Sequence, residues 1–182
     1  SSTNTFIKII NSPSQCRLTN LYCTGGGTHV LLTSGVSSQG SYGCHIAGCT
    51  FYNAAVTAVT IAPQTFGYSN FHCIKDCEFF GNRQHLSIAS ALSINFISCR
   101  FERKAQNAAW INGISIATSS NIAFNQCYFE DNNGITVLAI GSNSKNVSVD
   151  SCLFSINNLS NQPASKAITA EASVLSVAVT NN

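Results

Sequence analysis

The segment Ile94-Asn95-Phe96-Ile97-Ser98-Cys99-Arg100-Phe101 decides the fold, because its pattern returns along the whole chain. The pattern is apolar-x-apolar-x-x-Cys-x-Phe. Its other copies are Cys44-Ile46-Cys49-Phe51, His72-Ile74-Cys77-Phe79, Ile122-Phe124-Cys127-Phe129 and Val147-Val149-Cys152-Phe154, with a degraded first copy at Cys16-Leu18-Leu21-Cys23. From Leu21 through the cysteines, successive copies are 28, 28, 22, 28 and 25 residues apart. A repeat of this length indicates a solenoid, in which every copy adds one coil.

The spacing within the repeat predicts the shape of a coil. Apolar residues alternate on either side of a two-residue step, which is typical of two short strands separated by a corner. A third apolar strand lies elsewhere in each coil, for example at Val30-Leu32, Val59-Ile61 and Ile114-Ile116. The sequence therefore predicts an all-β fold. We expect a right-handed single-stranded parallel β-helix of about six to seven coils, with three short strands per coil. Residues 1–182 form one such domain, which we expect to be a piece of a longer chain.

Composition narrows the possible partners. Only 9% of the 182 residues are charged, the formal net charge is +2, and no run of Lys or Arg occurs. We therefore expect no nucleic-acid partner, and no apolar stretch is long enough to predict membrane insertion. Most of the nine cysteines occupy one repeat position, which indicates buried free thiols and folding in a reducing cytoplasm. No ligand cluster predicts a metal or another cofactor.

The paired strands followed by Cys-x-Phe units resemble the repeat of the pectate-lyase-like β-helix superfamily. The signature motifs of its polygalacturonases, methylesterases and calcium-dependent lyases are missing from this sequence. The chain is most similar to the bacteriophage tailspike and tail-fibre group, in its low charge, its free thiols and its many Ser, Thr and Asn residues. That resemblance implies a homotrimer that binds, and often cleaves, bacterial surface polysaccharide. It also implies assembly in the host cytoplasm and a place in the virion tail, or otherwise an extracellular location.

Setting the coils in register places charged and aromatic residues on one outward strand face. Glu78, Arg100 and Tyr128 fall in one column, and Glu102 and Glu130 fall in the next. We expect this face to bind sugar, because rings stack on aromatic side chains and carboxylates accept hydrogen bonds from hydroxyls. If the chain is a glycoside hydrolase, Glu102 and Glu130 are the predicted catalytic pair, with Glu78 as the alternate. The predicted substrate-binding residues are Arg100, Arg103, Tyr128, Trp110 and Asp131.

Other interpretations stay open at this stage. Glu78 with Arg100, and Arg103 with Asp131, could be cross-strand ion pairs on a solvated face without a function. The chain could be a non-catalytic structural or adhesive β-helix. It could also be a lyase or epimerase acting on uronic acids, which needs a cation and a base near the substrate. Among the histidines, we expect His72 in the core, and His45 and His85 at outward or corner positions.

Overall fold

The computed structural model describes residues 4–10, 15–33, 41–62, 69–102, 112–130, 136–155 and 166–182. These residues form 21 β-strands, named β1 to β21 in chain order, and they contain no helix. All strand pairs are parallel, and the strands build three sheets. Trp110, Arg103 and Asp131 lie outside the described residues, so their predicted roles remain predictions.

The three sheets run along the solenoid, and each coil adds one strand to each of them. Sheet A contains β1 (Thr5–Ile10), β4 (Thr28–Thr33), β7 (Thr57–Ile61), β11 (Leu86–Ala89), β14 (Ile114–Ala117), β17 (Thr136–Ile140) and β20 (Lys166–Ala170). Sheet B contains β2 (Arg17–Thr19), β5 (His45–Ala47), β9 (Cys73–Lys75), β12 (Ala91–Ile97), β15 (Ser120–Asn125), β18 (Lys145–Asp150) and β21 (Val177–Thr180), and β8 (Ser69–Asn70) pairs with β12. Sheet C contains β3 (Tyr22–Thr24), β6 (Thr50–Tyr52), β10 (Glu78–Phe80), β13 (Arg100–Glu102), β16 (Tyr128–Glu130) and β19 (Leu153–Ser155).

The chain visits the sheets in the constant order B, C, A. Six successive trios follow that order, from β2–β3–β4 to β18–β19–β20, with β1 before them and β21 after them. Equivalent repeat positions are register partners throughout; for example, Phe79 pairs with Phe51 on one side and with Phe101 on the other. The predicted parallel β-helix with three strands per coil is confirmed.

A ladder of phenylalanine rings fills the interior beside sheet C. Ring centroids are 5.1 Å apart from Phe51 to Phe79, 4.8 Å from Phe79 to Phe101, 5.1 Å from Phe101 to Phe129 and 4.5 Å from Phe129 to Phe154. The first four of these side chains are fully buried. Stacking at coil spacing adds ring–ring attraction to the burial of apolar area, so the ladder stabilises neighbouring coils against each other.

The cysteine ladder lies next to the phenylalanine ladder and is also buried. Its members are Cys49, Cys77, Cys99, Cys127 and Cys152, all with free thiols. Each thiol donates a hydrogen bond to a backbone carbonyl of an earlier coil, at 3.4–3.7 Å from sulfur to oxygen. The predicted role of these cysteines as small buried side chains is confirmed.

The corner between sheets B and C uses the left-handed backbone conformation in every coil. The residue at this corner precedes the cysteine position, and its φ is between +51° and +61° in all six cases: Asn20, Gly48, Asp76, Ser98, Gln126 and Ser151. Asn181, which follows β21, has the same conformation. A single residue with positive φ turns the chain sharply. This conformation explains the two-residue step in the repeat, where the alternation of apolar residues breaks.

His72 and His85 both lie in the interior of the solenoid. His72 lies in the core, as predicted, and is 1% exposed. His85 lies at the corner between sheets C and A, one of the positions predicted for it, and its side chain is fully buried there, with its ring 6.0 Å from that of Phe101. Buried Asn82 fixes this corner, since its side-chain oxygen accepts the Ala54 N–H at 2.8 Å. The turn therefore directs His85 inward, although strand alternation alone does not.

Candidate functional site

The outer face of sheet C carries the two columns that the sequence predicted. In the register of β10, β13 and β16, Glu78 pairs with Arg100 and Arg100 with Tyr128. The neighbouring column contains Glu102 and Glu130, which are direct register partners. The predicted alignment is confirmed, because the residues of each predicted column are register partners on successive strands. The roles assigned to these residues remain predictions.

Arg100 is the centre of a small charge network. One of its guanidinium nitrogens lies 3.3 Å from Glu78 Oε1, and another contacts Glu102 Oε1. The Glu78 contact has hydrogen-bond geometry, and the Glu102 contact is an ion pair at a less favourable angle. The side chains of Arg100 and Glu78 are each 53% exposed, whereas that of Glu102 is 19% exposed. The predicted cross-strand pair of Glu78 with Arg100 is present, and exposed pairs of this kind contribute at most about 1 kcal/mol.

Tyr128 connects Arg100 with Glu130. Its phenol O–H donates a hydrogen bond to Glu130 Oε2 at 2.8 Å, and this bond raises the pKa of the phenol. The Arg100 guanidinium carbon lies 6.0 Å from the centroid of the Tyr128 ring, within the range of a cation–π contact. Glu130 is therefore oriented by a neighbour on its own strand, and Glu102 by Arg100. The two carboxylates have different surroundings.

A groove lies over the N-terminal part of this face. Its volume is about 270 Å³, and it is lined by Tyr22, Thr50, Tyr52, Glu78, Phe79, Phe80, Arg100 and Glu102. The rings of Tyr52 and Phe80 stack at 5.4 Å between centroids and form an aromatic platform, while Tyr22 is 69% exposed. Glu78, Arg100 and Glu102 thus meet in one groove. Tyr128 and Glu130 belong to the next coil and do not line it.

Tyr22, Tyr52 and Phe80 lie on the same face and are not among the predicted site residues. The register of β3, β6 and β10 was readable from the repeat, and it places Tyr52 beside Phe80. Their stacking depends on side-chain conformation, which a one-letter pattern does not specify. The aromatic platform is therefore the part of the site that sequence reasoning missed.

Sheets A and B carry grooves of a different character. The groove on sheet B, about 490 Å³ in volume, is lined by neutral Ser, Asn, Ala and Val side chains. The groove on sheet A, about 430 Å³, contains Lys166 and Glu171 among uncharged residues. Within the described part of the chain, no aromatic ring lines either groove. Among these three described grooves, only that of sheet C combines aromatic and charged side chains.

A buried cluster of serines around His72 is closed to substrates. Nδ1 of His72 accepts the N–H of Cys44 at 3.1 Å, so Nε2 carries the proton and donates it to Ser69 Oγ at 2.9 Å. Ser41 Oγ lies 2.8 Å from Ser69 Oγ, and all three side chains are buried. Burial lowers the pKa of His72 to about 4, with a smaller contribution from His45. His72 is therefore a neutral donor and cannot activate Ser69 as a base.

The described residues contain no group of three His, Cys, Asp or Glu side chains that could hold a metal ion. In the same part of the chain, no helix could cross a lipid bilayer. The groove on sheet C combines one arginine, two carboxylates and the aromatic platform.

Comparison with solved structures supports the fold. The A-module of the mannuronan C-5 epimerase of Azotobacter vinelandii superposes with a TM-score of 0.70 at 14% identity, over 93% of this chain and 49% of that one. This chain spans about half the length of that relative. A candidate glycosyl hydrolase from Parabacteroides merdae aligns over 96% of this chain and 81% of its own at 8% identity, with a TM-score of only 0.32.

Sequence comparison places the chain in a family. No curated protein matches it significantly. The family model described as "Right handed beta helix region" matches residues 6–182, which is nearly the whole sequence. The match also establishes the hand of the solenoid that was predicted from the repeat. The chain therefore belongs to the right-handed β-helix family.

Proposed function

We propose that this chain is a polysaccharide-binding β-helix of the bacteriophage tailspike type, and that the glycan lies along the groove on sheet C. The proposal includes a homotrimer on the virion tail that recognises bacterial surface polysaccharide. The observation that carries it is the platform of Tyr52 and Phe80 beside the Arg100 network. Aromatic faces bind the C–H surfaces of sugar rings, and the flanking charged groups hydrogen-bond to hydroxyls.

The shape of the solenoid suits a polymeric ligand. Coils repeat about every 4.8 Å along the axis, so equivalent side chains form rows that an extended glycan can follow. The groove is lined from β3 to β13, which spans four coils. A rigid parallel scaffold holds these side chains in place before binding, which lowers the entropic cost of ordering them when the glycan binds.

The charge network favours a neutral glycan over a uronate. Arg100 contacts two carboxylates, Glu78 and Glu102, within the groove. A substrate carboxylate would have to displace one of them to reach the guanidinium, and it would meet like charge from the other. A lyase or epimerase acting on uronic acids therefore has less support from the described residues than a protein that binds sugar hydroxyls.

Glycan binding by a Tyr52→Ala variant tests the proposal directly. We expect the affinity for a neutral bacterial capsule or O-antigen fragment to fall about tenfold, since an aromatic stacking contact contributes about 0.5–1.5 kcal/mol beyond burial. Phe71→Ala is the matched control, because Phe71 is an exposed aromatic (67%) before β9, outside this groove. Isothermal titration with a panel of host polysaccharides gives the readout. Equal losses in both variants, or none in Tyr52→Ala, would contradict the assignment of the groove.

Hydrolysis by Glu102 and Glu130 is the second candidate function. It is favoured by the different surroundings of these register neighbours: Glu102 is mostly buried beside Arg100, and Glu130 accepts a hydrogen bond from Tyr128. Glycoside hydrolysis uses one carboxyl group as a general acid and another as a base or nucleophile, and these two roles require carboxyl groups in different environments.

The hydrolysis assay measures new reducing ends after incubation with host capsule or lipopolysaccharide. We expect Glu102→Gln and Glu130→Gln to abolish cleavage, with Glu171→Gln on sheet A as the control. Cleavage that survives both substitutions rules out this pair. Binding by the wild-type protein without any cleavage supports the adhesive alternative. Sedimentation equilibrium of the same protein checks the proposed homotrimer, since a monomer at micromolar concentration would contradict it.

A further inference from the structure

The nine free thiols of this chain occupy unlike environments. The five thiols of the cysteine ladder are buried and donate to backbone carbonyls. A reagent in solution does not reach them while the coils are intact. Two other cysteines, Cys16 and Cys44, form a separate inward column at the N-terminal end of sheet B. This pair has properties that the ladder lacks.

The backbone places Cys16 and Cys44 side by side. They precede Arg17 of β2 and His45 of β5, which are register partners, and the His45 N–H donates to the Cys16 carbonyl at 2.7 Å. In-register neighbours on adjacent parallel strands have Cα atoms about 4.8 Å apart. The Cα atoms of disulfide-bonded cysteines are usually about 4.4–6.8 Å apart, so this spacing is compatible with a disulfide. The two thiols also interact: burial and then Cys16 raise the pKa of Cys44 to about 12.

Access to the pair is one-sided. Cys16 is partly exposed, whereas Cys44 is fully buried. An oxidant can therefore reach Cys16 from solution, and Cys44 reacts only through Cys16. Cys16 is therefore placed to attack an oxidant from solution, and Cys44 is placed to attack the sulfur of Cys16 afterwards.

We propose that Cys16 and Cys44 are a modification site, at which a small-molecule disulfide such as oxidised glutathione introduces a disulfide that joins the first two coils. In the first step the Cys16 thiolate attacks one sulfur of glutathione disulfide, forming a mixed disulfide and releasing one glutathione thiolate. In the second step Cys44 attacks Cys16 Sγ, its proton goes to the departing sulfur, and a second glutathione leaves. Two protein thiols lose two electrons in total, and one glutathione disulfide is reduced to two thiols.

The disulfide would add a covalent link to the backbone pairing of β2 with β5. Strand β2 has three residues, and among the described residues β5 is its neighbour in sheet B. A covalent link to β5 through Cys44 keeps β2 paired. A protein that folds with reduced thiols and then enters an oxidising medium would acquire this link without unfolding, while the buried ladder stays reduced.

The test uses the full chain in its native state. The protein is equilibrated with oxidised glutathione at mildly alkaline pH. Free thiols are then alkylated, and linked peptides are identified by mass spectrometry. We expect one Cys16–Cys44 linkage, a mass decrease of two hydrogen atoms, and seven thiols left for alkylation in denaturant, since two of the nine are consumed.

Three variants separate the two steps. Cys44→Ser is expected to stop the reaction at the first step and leave Cys16 as a glutathione adduct, while Cys16→Ser is expected to leave Cys44 reduced. Cys73→Ser is the matched control: Cys73 is also partly exposed, but its register neighbours are His45 and Asn95, so its loss leaves the linkage unchanged. Circular dichroism verifies that each variant is folded. The proposal is overturned if wild-type Cys16 accumulates as a stable adduct beside reduced Cys44. It is equally overturned if the linkage forms only in unfolded protein.

Discussion

Buried His72 makes the stability of the solenoid sensitive to acid. Its ring is neutral, 1% exposed and held by Cys44 N–H and Ser69 Oγ on its two nitrogens. Protonation would place a second N–H against the Cys44 N–H and a charge in the core. Native His72 therefore resists protonation, and its pKa is lowered from the ordinary 6.5 to about 4, chiefly by burial. In the unfolded chain the same ring titrates near 6.5.

The sign and size of the effect follow from these two pKa values. Between pH 6.5 and 4 the unfolded state binds a proton that the native state does not, so the free energy of unfolding falls as the pH falls. The contribution of His72 is fully present above pH 6.5 and is lost as the pH drops through the folded pKa near 4. The shift corresponds to about 3 kcal/mol, at about 1.4 kcal/mol per pKa unit.

Urea unfolding at pH 7.5 and at pH 4.5, followed by circular dichroism, measures this loss. His72→Gln retains a hydrogen-bonding amide but no titrating group, and we expect it to lose about 2–3 kcal/mol less than the wild type between the two pH values. His45→Gln is the control, since His45 is only partly buried and contributes the smaller part of the shift. Parallel pH profiles for wild type and His72→Gln would refute the assignment of acid sensitivity to His72.

Three further predictions concern the core, the corners and the face of sheet C. Phe101→Ala removes a ring stacked on both sides and should destabilise the protein by about 3–5 kcal/mol in urea unfolding; a loss below 1 kcal/mol would show that the phenylalanine ladder adds little. Gln126→Gly relieves a left-handed conformation (φ +54°) that costs about 1 kcal/mol in a non-glycine residue, so the thermal midpoint should rise or stay level; a clear fall would contradict that cost. Glu78→Ala should change the free energy of unfolding by less than about 1 kcal/mol, because both partners of its ion pair with Arg100 are exposed, and a larger loss would indicate a structural role.

The fold was predictable from the sequence because its rules are local and periodic. Alternation identified the strands, and the constant step before each cysteine identified a corner. The left-handed conformation at that corner was not visible as a motif, since Asn, Gly, Asp, Ser and Gln all occupy it. Because five residue types adopt positive φ here, the repeat has no fixed letter at this position that would have predicted the conformation.

The candidate site was predictable only in part, for a related reason. Register fixed the neighbours of Arg100, and the ion pair with Glu78 followed from charge complementarity. The boundary of the groove depends on how Tyr52 and Phe80 pack against each other, which alternation does not determine. The burial of His85 at its corner was not predicted, because the direction of its side chain is set by the turn at Asn82 rather than by the strand.

The unequal coil lengths have an evolutionary consequence. Cys77 and Cys99 are 22 residues apart while most other ladder neighbours are 28 apart, yet their thiols occupy one unbroken column with the same carbonyl bonds. The cross-section of the solenoid thus accepts insertions and deletions between sheets without a change in the interior. Selection can diversify the outer surface coil by coil, and whole coils can be duplicated in register, while the inherited core remains the same.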